Sequence, residues 1–145
     1  MNSMSLKNST NVRWFGFDSS KDSMYYESCN FYGEFSVGVG TTIGAFCDIG
    51  GKVGKNCKIQ THVSIPPLTV IRDNVFLGPG VRIANDKKMD GNLIGYTIGE
   101  GSKIGMGALI VANVGKNSII GAGSLVLDEV GDNEVWYGNP ARKVN

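Results

Sequence analysis

The chain has 145 residues, a formal net charge of +1 and 41% apolar content, which suits one globular domain. That charge gives no basis for binding nucleic acid or an anionic membrane, and no apolar run approaches the ~20 residues of a membrane span. The opening MNSMSLKNST has no apolar signal-peptide core, so the chain is expected to be soluble and cytoplasmic.

Residues 1–30 show no repeat. Their aromatic residues, Trp14, Phe15, Phe17, Tyr25 and Tyr26, suit a capping segment over the open end of a repetitive domain, where strand edges would otherwise stay unpaired. Cys29, Cys47 and Cys57 are odd in number and include no CxxC pair, which predicts small thiols rather than a disulfide framework or a zinc site.

From Val37 onward the pattern changes. Aliphatic residues recur every six positions: Val37, Ile43 and Ile49, then Val53, Ile59, Ile65, Ile71, Leu77 and Ile83. The period resumes at Ile98, Ile104 and Ile110, and again at Val114, Ile120 and Val126. Glycine often follows the aliphatic, and there are 21 glycines in all, about twice the ordinary ~7%. Four positions after the aliphatic stands a small or β-branched residue, such as Thr41, Cys57, Val63, Ala108 or Ser124. A period of six matches neither a helix nor a two-faced sheet. It matches short strands joined by tight corners, each strand turning one large and one small side chain inward. This is the hexapeptide repeat of a parallel β-helix, three strands to a triangular coil. The predicted fold is all-β, with the β-helix domain over residues 31–145.

Three steps depart from six. Ile49 to Val53 and Ile110 to Val114 are four residues, and Ile83 to Ile98 is fifteen. Counted in threes, all fall at one corner, together with the Pro66-Pro67 pair. One edge of the prism should therefore carry irregular backbone and an extended loop at about residues 84–97. A polar loop on a rigid scaffold is a usual place for function.

Three segments now carry a resemblance. VFLGPGVRIANDK (75–87), TIGEGSKIGMGALI with VGKNSIIGAGSLV (97–126), and EVWYGNPARKV (134–144) resemble the left-handed β-helix, hexapeptide-repeat acyltransferases. IQTHVSI followed by NVFLGPGVRIANDK is most similar to N-acetyltransferases of nucleotide-linked amino sugars. The resemblance implies acetyl-CoA as donor, a UDP- or dTDP-linked amino sugar as acceptor, no metal, and a homotrimer with active sites between prisms. Galactoside- and maltose-type O-acetyltransferases carry a histidine in the loop after the "GP" strand. Here NDKKMDGN has none, which favours the amino-sugar group. Many relatives place a lysine where this chain has Asp128, so a phosphate contact would fall instead to Lys116 or Lys143. A γ-type carbonic anhydrase shares the β-helix but needs three histidines, and this chain has one. An O-acetyltransferase and a non-catalytic scaffold remain alternatives.

Acetyl transfer needs a neutral amine, a donor to the tetrahedral oxyanion and near-attack positioning. A histidine base suits the first. His62 lies three residues after Ile59, is expected to face outward on its strand, and is either that base or an exposed interfacial histidine. Asn85 and Asp86 open the loop; they either bind sugar hydroxyls or serve as ordinary loop openers. By the resemblance, Met106, Gly107 and Ala122 would line the pantetheine of the cofactor, and Arg142 would meet a phosphate. The alternative reading of those small residues is tight corner packing, and of Arg142 a surface arginine.

Overall fold

A computed structural model describes residues 6–7, 13–18, 23–26 and 28–145, the first three segments as backbone alone. The strands are β1 (Leu6–Lys7), β2 (Arg13–Asp18), β3 (Ser23–Tyr26), β4 (Asn30–Phe31), β5 (Ser36–Val37), β6 (Thr42–Ile43), β7 (Asp48–Ile49), β8 (Lys52–Val53), β9 (Lys58–Ile59) and β10 (Ser64–Ile65). They continue as β11 (Val70–Ile71), β12 (Phe76–Leu77), β13 (Arg82–Ile83), β14 (Thr97–Ile98), β15 (Lys103–Ile104), β16 (Leu109–Ile110), β17 (Ile119–Ile120), β18 (Leu125–Val126), β19 (Val135–Gly138) and β20 (Ala141–Lys143). No helix occurs among the described residues, so none is long and apolar enough to cross a membrane.

Every third strand shares a sheet. The first sheet runs β3-β6-β9-β12-β15-β17-β19, the second β4-β7-β10-β13-β16-β18, and the third β5-β8-β11-β14. Isolated bridges extend the third sheet from Ile98 to Val114 and on to Val130. The result is a three-sided parallel β-helix, as the period of six predicts. The first sheet is longer because the antiparallel β1-β2-β3 backbone joins it through the parallel pair β3–β6. The aromatic side chains of residues 14–26 lie outside the described residues.

The register explains the sequence pattern. Ile43, Ile59, Leu77, Ile104 and Ile120 are stacked partners down the first sheet. Val37, Val53, Ile71 and Ile98 stack likewise in the third. Ile49, Ile65, Leu77, Ile98, Ile104 and Ile110 are fully buried. Burial of such a side chain contributes roughly 1.5–3 kcal/mol, and each strand repeats it.

The small inward positions do a second job. Thr41 Oγ1 donates to Gly54 O at 2.7 Å, Ser102 Oγ to Gly115 O at 2.6 Å, and Ser118 Oγ to Gly131 O at 2.6 Å. Each buried hydroxyl thus bonds a corner carbonyl of the next coil, as a buried polar group must. Among the described residues Thr69 Oγ1 is buried without a partner; at its corner the following coil departs into the long loop.

Cys47 and Cys57 are buried and Cys29 is half-buried, with no disulfide between them. A hydrogen bond with Cys29, then burial, pushes the Cys47 thiol well up, and burial raises Cys57. Both are packing residues with little thiolate character.

The irregular steps do gather on the edge between the second and third sheets. β7 passes to β8 through Gly50-Gly51, β13 to β14 through the loop 84–96, and β16 to Val114 through residues 111–113. The structure adds a fourth: Val126 to Val130 is another four-residue step at the same corner.

Candidate functional site

The edge between the first and second sheets is regular. Five two-residue turns stack along it: Ala45-Phe46, Thr61-His62, Pro79-Gly80, Met106-Gly107 and Ala122-Gly123. The second residue of each has a left-handed backbone, with φ between 59° at Phe46 and 74° at Gly80. Its N–H donates to the first residue of the turn above: His62 to Ala45 O at 3.0 Å, Gly80 to Thr61 O at 2.9 Å, Gly107 to Pro79 O at 2.8 Å and Gly123 to Met106 O at 2.8 Å.

His62 is therefore in a corner turn, not on a strand. The strands are only two residues long, so the third residue after Ile59 has already entered the corner. The expected outward exposure holds, since His62 is exposed while Val63 is 1% exposed. The ring of Phe46, one coil up, lies 5.2 Å from the imidazole between centroids, tilted by 31°. Among the described residues neither imidazole nitrogen makes a hydrogen bond.

Left-handed angles are uncommon for bulky residues and cost ~1–2 kcal/mol. Three corners of this edge avoid that cost with glycine, whereas Phe46 and His62 accept it. No sequence motif marks Phe46, whose proximity to His62 comes from the coil spacing.

The structure brings His62, Met106, Gly107 and Ala122 to this one edge. Met106 lies two coils below His62, ~10 Å at the ~4.8 Å strand spacing. Two kinds of glycine occur here. A Cβ on Gly78 would stand 2.7 Å from Met106 N, and one on Gly105 would stand 2.5 Å from Ala122 N; these positions are glycine for packing. A Cβ on Gly107 or Gly123 would meet nothing within 4 Å; these are glycine for their backbone angle and leave the edge bare. The amide N–H groups of Met106 and Ala122 donate no hydrogen bond among the described residues.

Asn85 and Asp86 lie on a different edge. They follow β13, whereas His62 precedes the adjacent strand β10, so the width of the second sheet separates them within one chain. Both build the loop. Asn85 Nδ2 donates to Pro67 O at 3.1 Å. Asp86 accepts from the N–H groups of Asp90 at 3.1 Å and Gly91 at 2.9 Å. Lys87 Nζ reaches Leu127 O at 3.2 Å, so the loop lies along its edge, with Met89 88% exposed.

Arg142, on β20, donates to its neighbour Ala141 O at 2.8 Å and pairs with Asp128 at 3.6 Å. Lys143 Nζ is 2.9 Å from Glu134 Oε1. Lys143, the Trp136 indole and the Gly131 N–H together hold the Glu134 carboxyl down at about 2. Lys116 stands on the third edge. There it lines a groove of about 590 Å³ with Arg72, Asp73, Glu100 and Asp132. A recess of about 390 Å³ under Pro67 and Leu68 is bounded by Glu34 and Lys52. Neither concavity contains His62.

No family profile matches the sequence, and no curated protein matches it. Solved structures do match. A variant of AntD, an N-acyltransferase from Bacillus cereus in complex with dTDP and coenzyme A, superposes with TM-score 0.73 at 18% identity, covering 86% of this chain and 80% of that one. WeeI from Acinetobacter baumannii AYE gives 0.70 at 23%, covering 84% and 57%. A variant of the GDP-perosamine N-acetyltransferase from Caulobacter crescentus, in complex with CoA and GDP-perosamine, gives 0.56 at 22%, covering 86% and 54%. The chain thus spans little more than half the length of the latter two. It shares the parallel β-helix of these structures, and at such identities the shared fold is what the likeness establishes.

Proposed function

We propose that the protein is an acetyl-CoA-dependent N-acetyltransferase acting on the amino group of a nucleotide-linked amino sugar. The observation that carries this reading is the placement of His62 on the same prism edge as the bare backbone at Met106-Gly107 and Ala122-Gly123. A thin pantetheine arm can lie along that edge, its amide carbonyls accepting from the N–H groups of Met106 and Ala122. This directs the thioester toward the imidazole.

The amine nitrogen attacks the thioester carbonyl and forms a tetrahedral oxyanion. The C–S bond then breaks and CoA leaves as its thiol. The proton lost from the nitrogen passes to His62, which returns it to the departing sulfur. Such a base contributes typically ~10²–10⁴ in rate. Holding the reactants in line can contribute up to ~7–11 kcal/mol.

Within one chain Asn85 and Asp86 do not reach His62. In a homotrimer, the loop of one copy would approach the His62 edge of the next and supply the acceptor contacts. The complexes of structural relatives with dTDP, GDP-perosamine and CoA support the same substrate classes, and a cytoplasmic enzyme has acetyl-CoA at hand.

The test is thiol release from acetyl-CoA with a panel of UDP-, dTDP- and GDP-linked amino sugars and their hydroxyl counterparts. Release with an amino sugar is expected. Release with an alcohol alone identifies an O-acetyltransferase, and release with none leaves a scaffold. Sedimentation tests the trimer.

A further inference from the structure

We propose that Phe46 is a positioning residue for His62, holding the imidazole in its working orientation by ring stacking. The proposal rests on the reading of His62 as the base. A general base needs a third group to fix its ring. Among the described residues no carboxylate or carbonyl bonds either nitrogen of His62, and the planar group against it is Phe46, at 5.2 Å and 31°.

Stability does not explain a phenylalanine at this position. Its side chain is 62% exposed, so it buries little. Its φ of 59° is one that glycine adopts freely, and glycine fills the equivalent turns at Gly80, Gly107 and Gly123. Strain of this kind persists where the surroundings over-determine it, often at functional sites. Here the Phe46 N–H donates to Ser28 Oγ at 3.3 Å. The next turn is tied on by the His62 N–H to Ala45 O. The two turns are thereby held in register, and the two rings face each other across one coil.

His62 is the only histidine, so its ring protons can be read by NMR without competing signals. In the wild-type protein they are expected to be displaced from random-coil positions by the Phe46 ring current, and to return toward them in Phe46→Leu. In kinetics, Phe46→Leu and Phe46→Gly are expected to lower kcat about tenfold through misplacement of the base, with KM for acetyl-CoA unchanged. Phe46→Tyr or Phe46→Trp should stay within about threefold of wild type. Phe46→Gly should keep or raise Tm, because it relieves the backbone angle. In a His62→Ala background, Phe46→Leu should cost nothing further, since two groups acting as one unit are not additive.

Random-coil ring shifts in the wild type, full kcat in Phe46→Leu, or an added loss in the double variant would each overturn the proposal. If instead His62→Ala keeps full activity while the ring shifts are displaced, the base assignment fails and the stack is structural only.

Discussion

The side-chain amide of Asn85 donates to the carbonyl of Pro67, 3.1 Å away and one coil earlier. The bond ties the start of the long loop to the proline pair on the same edge. Asn85 therefore has a structural role whether or not it also meets a sugar. A hydrogen bond of this kind contributes ~0.5–1.5 kcal/mol. Asn85→Ala should lower Tm by about 3 °C and speed amide exchange at residues 87–94. Full protection of the loop in that variant would show that the bond does not hold it.

Gly107 and Gly105 are two residues apart and make opposite predictions. Gly107 has φ 69° and nothing within 4 Å of a Cβ. The third edge uses asparagine at such angles, as at Asn56 and Asn117. Gly107→Asn should therefore leave stability within about 0.5 kcal/mol, while its side chain obstructs the bare edge and raises KM for acetyl-CoA about tenfold, ~1.4 kcal/mol of binding. An unchanged KM would place the cofactor elsewhere. Gly105→Ala forces a methyl to 2.5 Å from Ala122 N and should cost ~1–3 kcal/mol of stability, measured by urea unfolding.

His62→Asn keeps a residue that tolerates the left-handed angle, so the fold should be retained. Loss of the base should lower kcat/KM by about 10² or more at neutral pH. A fall of less than about threefold in a steady-state assay would remove His62 from the chemistry.

Glu134 links the C-terminal strands to pH. Its carboxyl is held at about 2 against an ordinary 4.5, by Lys143 first, then Trp136 and Gly131. Because the folded value is the lower one, its contribution is present above 4.5 and fades as pH falls from there toward about 2. Thermal melts across that window should show a decline that Glu134→Gln flattens. A parallel decline in both proteins would assign the acid sensitivity to other groups.

Much of the fold was legible because a β-helix repeats locally. Ile59, Leu77 and Ile104 each meet the equivalent residue of the next coil, so a period of six encodes both the inward stack and the outward exposure of His62. The four- and fifteen-residue steps placed the irregular edge and the loop for the same reason. What the period does not encode is contact between coils at the corners. That Phe46 lies on His62, that Asp128 meets Arg142, and that Asp86 spends its carboxylate on Asp90 and Gly91 depend on side-chain direction and on which corner each coil has reached. The sequence by itself determined a three-sided solenoid and its loop, because hydrophobic burial repeats with the coil. Only the tertiary structure decided that His62 sits in a left-handed turn with the Phe46 ring beside it, because backbone angle and side-chain direction at a corner are set by packing between coils.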